Sequence, residues 1–201
     1  MRPCLLLRAV IVAGVVLGFP TSLRGQWLAA VEVGADRYWG GSKATTPEDR
    51  SFRPYRSTVL ALGLERRMQG WGVGLRLKYT SAGLALEGPD AVAAVKGVFD
   101  VFGASPELIY RLARVAGSNE LLIRAGPLFE VWSIIDEDSK LRMGLQAALA
   151  FTVPLGDRFA GTLLGGGAVS PSPFSRTQLT DGFEPRMLWR RGIAVRLEYW
   201  L

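Results

Sequence analysis

Residues 192–201 read GIAVRLEYWL. Numbered at period two, Ile193, Val195, Leu197, Tyr199 and Leu201 fall on one face and Ala194, Arg196, Glu198 and Trp200 on the other. The first face is uniformly apolar, with an aromatic residue two before the end. The second carries an acid and a base. Such a strand separates two environments, and the rest of the chain is best read by asking whether it repeats the pattern.

It does so in six more segments, and poorly in a seventh. Trp27 to Trp39 sets Val31, Val33 and Ala35 against Glu32, Gly34 and Asp36. Ser57 to Arg66 sets Leu60, Leu62 and Leu64 against Ala61, Gly63 and Glu65, and Trp71 to Thr80 sets Val73, Leu75, Leu77 and Tyr79 against Gly72, Gly74, Arg76 and Lys78. In Pro106 to Val115, Leu108, Tyr110 and Leu112 oppose Glu107, Ile109 and Arg111. In Glu120 to Trp132, Leu121, Ile123, Phe129 and Val131 oppose Arg124, Gly126, Glu130 and Trp132. Lys140 to Val153 opposes Leu141, Met143, Leu145, Leu149, Phe151 and Val153 to Arg142, Gly144, Gln146, Ala148 and Thr152. Phe159 to Val169 is rich in glycine and alternates poorly; Gly165 to Gly167 has no accompanying lysine and reads as close strand packing or a bend, not as a phosphate loop.

The connections are also regular. Short turns (67–70, 116–119, 154–158) alternate with longer ones (40–55, 81–105, 133–139, 170–190), the order expected of an up-and-down barrel with both termini at the short-turn end. All six tryptophans fall near strand ends: Trp27, Trp71 and Trp200 at one end, Trp39, Trp132 and Trp189 at the other. By parity Trp132 and Trp200 point inward.

Residues 1–25 form a segment of another kind. A basic start at Arg2 and Arg8, an apolar run from Ala9 to Phe19 and a polar exit predict a cleaved secretory signal peptide, with the barrel domain at 26–201. The apolar run is shorter than the roughly 20 residues of a spanning helix, and no later window supplies one. The whole chain has 24 Lys and Arg against 18 Asp and Glu. Removal of Arg2, Arg8 and Arg24 with the signal leaves 21 bases, a net charge of +3, too modest for a nucleic-acid partner. The single cysteine, Cys4, leaves with the signal, so disulfides do not hold the exported chain together.

The polar face is rich in small residues (Gly34, Gly63, Gly72, Gly74, Gly126, Gly144, Ala148), as suits a narrow interior, and the opposite face is built of large aliphatics. That assigns the apolar face to lipid and the polar face to a lumen. A soluble lipocalin-like ligand carrier would have the two faces exchanged. The lumen then holds Glu32, Asp36, Glu65, Glu107, Glu130 and Glu198 against Arg76, Lys78, Arg111, Arg124, Arg142 and Arg196, six acids facing six bases. A balanced set of this kind fills an eight-stranded interior for structural reasons; a narrow pore or small-solute transporter is the functional alternative.

These features together resemble the small OmpA/OmpX-type outer-membrane β-barrel families, in which the terminal strand is also the signal read by the barrel-insertion machinery. Ile193, Val195, Leu197, Tyr199 and Leu201 would carry that signal here, with Leu201 where the families usually have Phe. The resemblance implies an all-β, eight-stranded antiparallel up-and-down transmembrane barrel in the outer membrane of a two-membraned bacterium. It would be a monomer with outer-membrane lipid and, during assembly, the insertion machinery as its partners. Enzymes among small outer-membrane barrels generally depend on a histidine, and this chain has none. Serine and cysteine nucleophiles lack their base, and metal sites lack imidazole and thiolate ligands, so no catalytic, metal or cofactor residues are expected. The acidic run Asp136, Glu137 and Asp138 reads as a solvated turn. The expected role is non-enzymatic, structural or in surface interaction. Its candidate contact region is 81–105, either a long hairpin turning near Gly88, Pro89 and Asp90, or a lid over the barrel mouth with Val92, Val95 and Phe99 packed inward.

Overall fold

The computed structural model describes residues 26–44, 51–87, 92–134, 139–174 and 183–201. Residues 1–25, the turn near Gly88 to Asp90, and the acidic run Asp136 to Asp138 lie outside them. Eight strands close into one antiparallel barrel in sequence order: β1 (Gln26–Ala44), β2 (Ser51–Arg67), β3 (Trp71–Glu87), β4 (Val92–Val115), β5 (Asn119–Ile134), β6 (Lys140–Pro154), β7 (Phe159–Ser170) and β8 (Phe183–Trp200). Closure is made by β1 against β8, with Val33 opposite Val195. Every strand thereby has a partner on both sides along its central span, and the backbone groups that lipid cannot satisfy are satisfied within the sheet.

The register fixes the barrel's geometry. From Val33, neighbouring residues lead through Leu60, Tyr79, Phe102 and Val131 to Leu141 on β6. In the other direction they lead through Val195 and Leu163 to Phe151 on the same strand. The circuit therefore closes with a stagger of ten residues, which for eight strands tilts them by about 40° and leaves an interior filled by side chains.

The strands at the hairpin end run well past the segments read from sequence. Positions 40–44, 51–55, 81–87 and 92–105, expected as connections, are strand, and β8 begins at Phe183. Register shifts at Gly40/Ser42, Tyr55/Thr58 and Ala82/Leu84 explain part of the difference, and from Phe99 to Ser105, where the register is unbroken, the pattern fails because apolar Phe99 and Val101 face inward and Asp100 outward. One extra residue on β2 between Tyr55 and Thr58, and one on β8 between Pro185 and Leu188, each exchange the faces beyond them. Two extra residues on β4 between Val95 and Phe99 interrupt the ladder, so a period-two reading loses the strand at all three places although pairing resumes. Region 81–105 is paired strand up to Glu87 opposite Val92, the hairpin arrangement and not the lid, although Phe99 is packed inward as the lid reading had it. The short turns are as expected, with positive φ at Gly70 and Gly117.

The exterior is apolar. Ile193 is 70% exposed and Val195 65%, whereas Glu198 on the alternate positions of the same strand is fully buried. Val31, Val33, Leu60, Leu62, Leu77, Leu108, Leu145, Leu149 and Leu163 continue this belt around the barrel. So extended an apolar surface is incompatible with water and fits a bilayer. It is also the reverse of what a soluble carrier with an apolar calyx requires.

Candidate functional site

Polar side chains from strands all round the barrel converge in the lumen, and their inward aim follows from strand parity. The charges there fall into two layers. Nearer the short-turn end, Arg67, Arg76, Arg124 and Arg196 face Glu32, Glu65, Glu107 and Glu198. Glu65 accepts from Arg124, Arg196 and Arg67, the last with Nε at 3.2 Å. Arg124 Nε also donates to Glu107 at 3.0 Å, Arg67 to Glu198 at 2.9 Å, and Arg76 to Glu32. Arg196 lies 3.2 Å from Glu198 and 3.9 Å from Glu32, and Gln146 donates to Glu107 at 2.7 Å. Four bases meet four acids.

The second layer lies toward the hairpin end. Glu130 accepts from Lys78 at 2.8 Å and from Arg190 at 2.6 Å, and Arg190 is 3.3 Å from Asp36. Two bases meet two acids. Each layer is neutral by itself, which is the condition for burying so many ions. An unpaired charge in this interior would bear the full desolvation cost, whereas a paired and hydrogen-bonded one recovers most of it.

Small residues make the layers possible. A Cβ at Gly63 would come within 2.7 Å of the Arg196 guanidinium, one at Gly74 within 3.0 Å of Glu65 Cγ, and one at Gly103 within 3.3 Å of Lys78 Cε. These three glycines are therefore space into which long charged side chains extend.

Above the second layer the interior turns apolar. Tyr38, Phe99, Val101, Trp132, Phe174 and Leu188 pack together at the hairpin end, with Trp132 edge-on to Tyr38 (6.1 Å) and to Phe99 (5.9 Å). Phe174 is brought in by the segment after β7, where Ser172 Oγ donates to the Gly41 carbonyl at 2.7 Å and accepts from the Phe174 amide. A cavity of about 60 Å³ borders both charge layers, touching Glu32, Asp36, Arg76, Glu107, Arg124, Gln146 and Arg190. It has room for a few waters at roughly 10–15 Å³ each, far less than a channel.

Of the twelve charges assigned to the lumen from sequence, ten sit in these layers. Arg111 instead pairs with Glu120 at 2.9 Å near the short-turn end, and Arg142 donates to the Ser172 carbonyl at 2.7 Å near the hairpin end. Sequence reasoning misses Arg67 and Arg190, because both fall in segments that read as connections. The available signal is parity: Arg67 continues the face of Glu65, and Arg190 that of Arg196. Trp132 is buried in the mouth cluster, and Trp200 is half-buried with the Arg67 guanidinium 5.4 Å from its ring. Among the described residues no group of His, Cys, Asp and Glu is arranged to hold a metal ion.

No family model matches the chain, and no curated protein matches it in sequence. Its structure is similar to that of Neisserial surface protein A, with 8% identity over 87% of this chain and 97% of that one and a TM-score of 0.55. It is also similar to the N-terminal β-barrel domain of Pseudomonas aeruginosa OprF (12% identity, 87% and 99% covered, TM-score 0.47) and to a major outer membrane protein of Thermus thermophilus (12%, 87% and 99%, 0.48). At 8% identity the likeness to the first is one of fold, and the fold is that of the small eight-stranded outer-membrane β-barrels.

Proposed function

We propose that this chain is a non-enzymatic integral protein of the outer membrane, exported behind a cleaved signal at residues 1–25 and acting through its surface, with the barrel as its anchor. The observation that carries this reading is the filled lumen: two neutral charge layers and an aromatic cluster occupy the path a solute would take. In planar bilayers the purified protein is expected to show no large, stable conductance at neutral pH. A reproducible large open state would overturn the reading and promote a pore.

The candidate contact surface is the β3–β4 hairpin. Among the described residues β5 pairs with β4 only as far as Phe99, so residues 92–95 of β4, which pair with β3, have no described strand on their other edge. An unpaired edge is a template for strand addition, and Val95, 63% exposed, stands on it. A photo-crosslinking residue at Val95 in whole cells is expected to form a discrete adduct with another protein. Replacing residues 84–97 by an Asn-Gly turn should leave a folded, heat-modifiable barrel, because Phe99 and Val101 remain to close the mouth. A folded barrel with the hairpin intact that forms no adduct from position 95 would remove the hairpin as a contact surface.

A further inference from the structure

Two arginines stand on the lipid-facing side of the barrel where an apolar belt is expected. Arg37 on β1 and Arg191 on β8 are directly opposite one another in the register that closes the barrel, and both are exposed. The next outward pair is Trp39 opposite Trp189, also exposed. Toward the short-turn end the outward pairs are Ala35 with Ile193 and Val33 with Val195. Arg37 is ten residues along β1 from Trp27, which at about 3.3 Å per residue and about 40° of tilt is about 25 Å along the barrel axis, the height of the apolar band. Stepping across to β8 along the register moves toward the membrane centre, so Arg191 lies a few ångströms deeper than Arg37.

Like charges facing each other across a strand pair repel, and a low-dielectric surround strengthens the repulsion. None of the ion pairs among the described residues includes either arginine; the contact they show is Arg191 over the Trp39 ring at 5.5 Å. The lumen keeps each of its charge layers neutral with protein acids. Among the described residues no acid compensates Arg37 and Arg191. At this height the available anion is a lipid headgroup, held under two indole rings that favour the same interface.

We propose that Arg37 and Arg191 form a site for the phosphate of an outer-leaflet lipid, two guanidinium groups taking its oxygens while Trp39 and Trp189 pack against its acyl and glycerol or sugar portion. Guanidinium suits this role because its planar fork matches phosphate oxygens two at a time. The site rests on the reading of the barrel as membrane-spanning and adds to it a bound lipid on the β1–β8 seam, where the barrel closes.

The test uses the full mature barrel in a nonionic detergent, titrated with phosphatidic acid and with diacylglycerol of the same acyl chains, with retained lipid counted by native mass spectrometry. The wild type is expected to prefer phosphatidic acid by roughly tenfold or more. Arg37→Gln and Arg191→Gln should each reduce the preference and their combination remove most of it, while Arg37→Lys with Arg191→Lys should retain part of it. Arg114→Gln, an exposed arginine at the short-turn end, should leave it unchanged. Heat-modifiable migration after insertion into vesicles reads the membrane assignment separately. A wild type that inserts but shows no phosphate preference, or folded single glutamine variants that keep the full preference, would overturn the site alone. A wild type that does not insert would overturn the reading beneath it.

Discussion

Val195→Arg is expected to block assembly, or to lower the stability of whatever barrel does form by about 2–4 kcal/mol, the cost of an arginine near mid-bilayer. Val195 sits on the outer face opposite Val33, close to half-way between the aromatic residues of the two ends, and is 65% exposed. Its side chain cannot turn inward, because parity commits position 195 to the lipid face and Arg196 to the lumen. Tyr199→Arg should be milder, at about 0–1 kcal/mol, because Tyr199 lies at the short-turn interface, where a guanidinium reaches water and Arg158 already donates to the phenol oxygen at 3.2 Å. Ala194→Asp should also be tolerated better than Val195→Arg, since Ala194 borders the lumen cavity beside Arg190, Arg76 and Arg124. Folding into vesicles followed by gel mobility with and without heating ranks the three. Equal assembly of all three would mean that the faces are wrongly assigned.

The same parity decides how much of the molecule is legible in the sequence. Where a strand alternates without interruption, as in β6 from Leu141 to Val153 or β8 from Ile193 to Tyr199, a period of two places every residue and nothing else is needed. The reading stops at bulges. Beyond Leu188 toward Pro185 and beyond Thr58 toward Tyr55 the faces exchange, glycine and proline look like turn signals, and paired strand is taken for loop. Arg190, which keeps the parity of Arg196, is lost for the simpler reason that it ends the run from Ser170 that reads as a connection, and with it goes the partner that makes the second charge layer neutral. Phe174 is illegible for a different one: it enters the mouth from a segment with no periodicity, positioned by hydrogen bonds to and from Ser172 that no local pattern announces. The Arg37–Arg191 pair needs the β1–β8 register, which joins the first strand to the last and is a property of closure, not of any window of sequence.

The lumen's neutrality makes Glu65 the residue whose loss should be felt most. Glu65→Gln keeps the volume and removes one negative charge, leaving Arg67, Arg76, Arg124 and Arg196 facing only Glu32, Glu107 and Glu198. Breaking a buried pair by removing one partner costs about 3–5 kcal/mol, because the remaining ion stays desolvated. Three guanidinium groups contact Glu65, so the variant should fall in that range, with remaining contacts to Glu107 and Glu198 holding it toward the lower end. Exposed Glu184, whose contact with Arg186 is 3.5 Å at the rim, should show at most about 1 kcal/mol on the same change. Adding Arg196→Gln to Glu65→Gln restores neutrality to the layer, and the double variant should be more stable than the sum of the two single changes by about 1–3 kcal/mol. The measurement is the urea midpoint of reversible unfolding in vesicles. Additive losses would show that these arginines are satisfied independently of Glu65, and a Glu65→Gln variant as stable as wild type would mean that the lumen is wet enough to solvate its charges, the condition a pore requires.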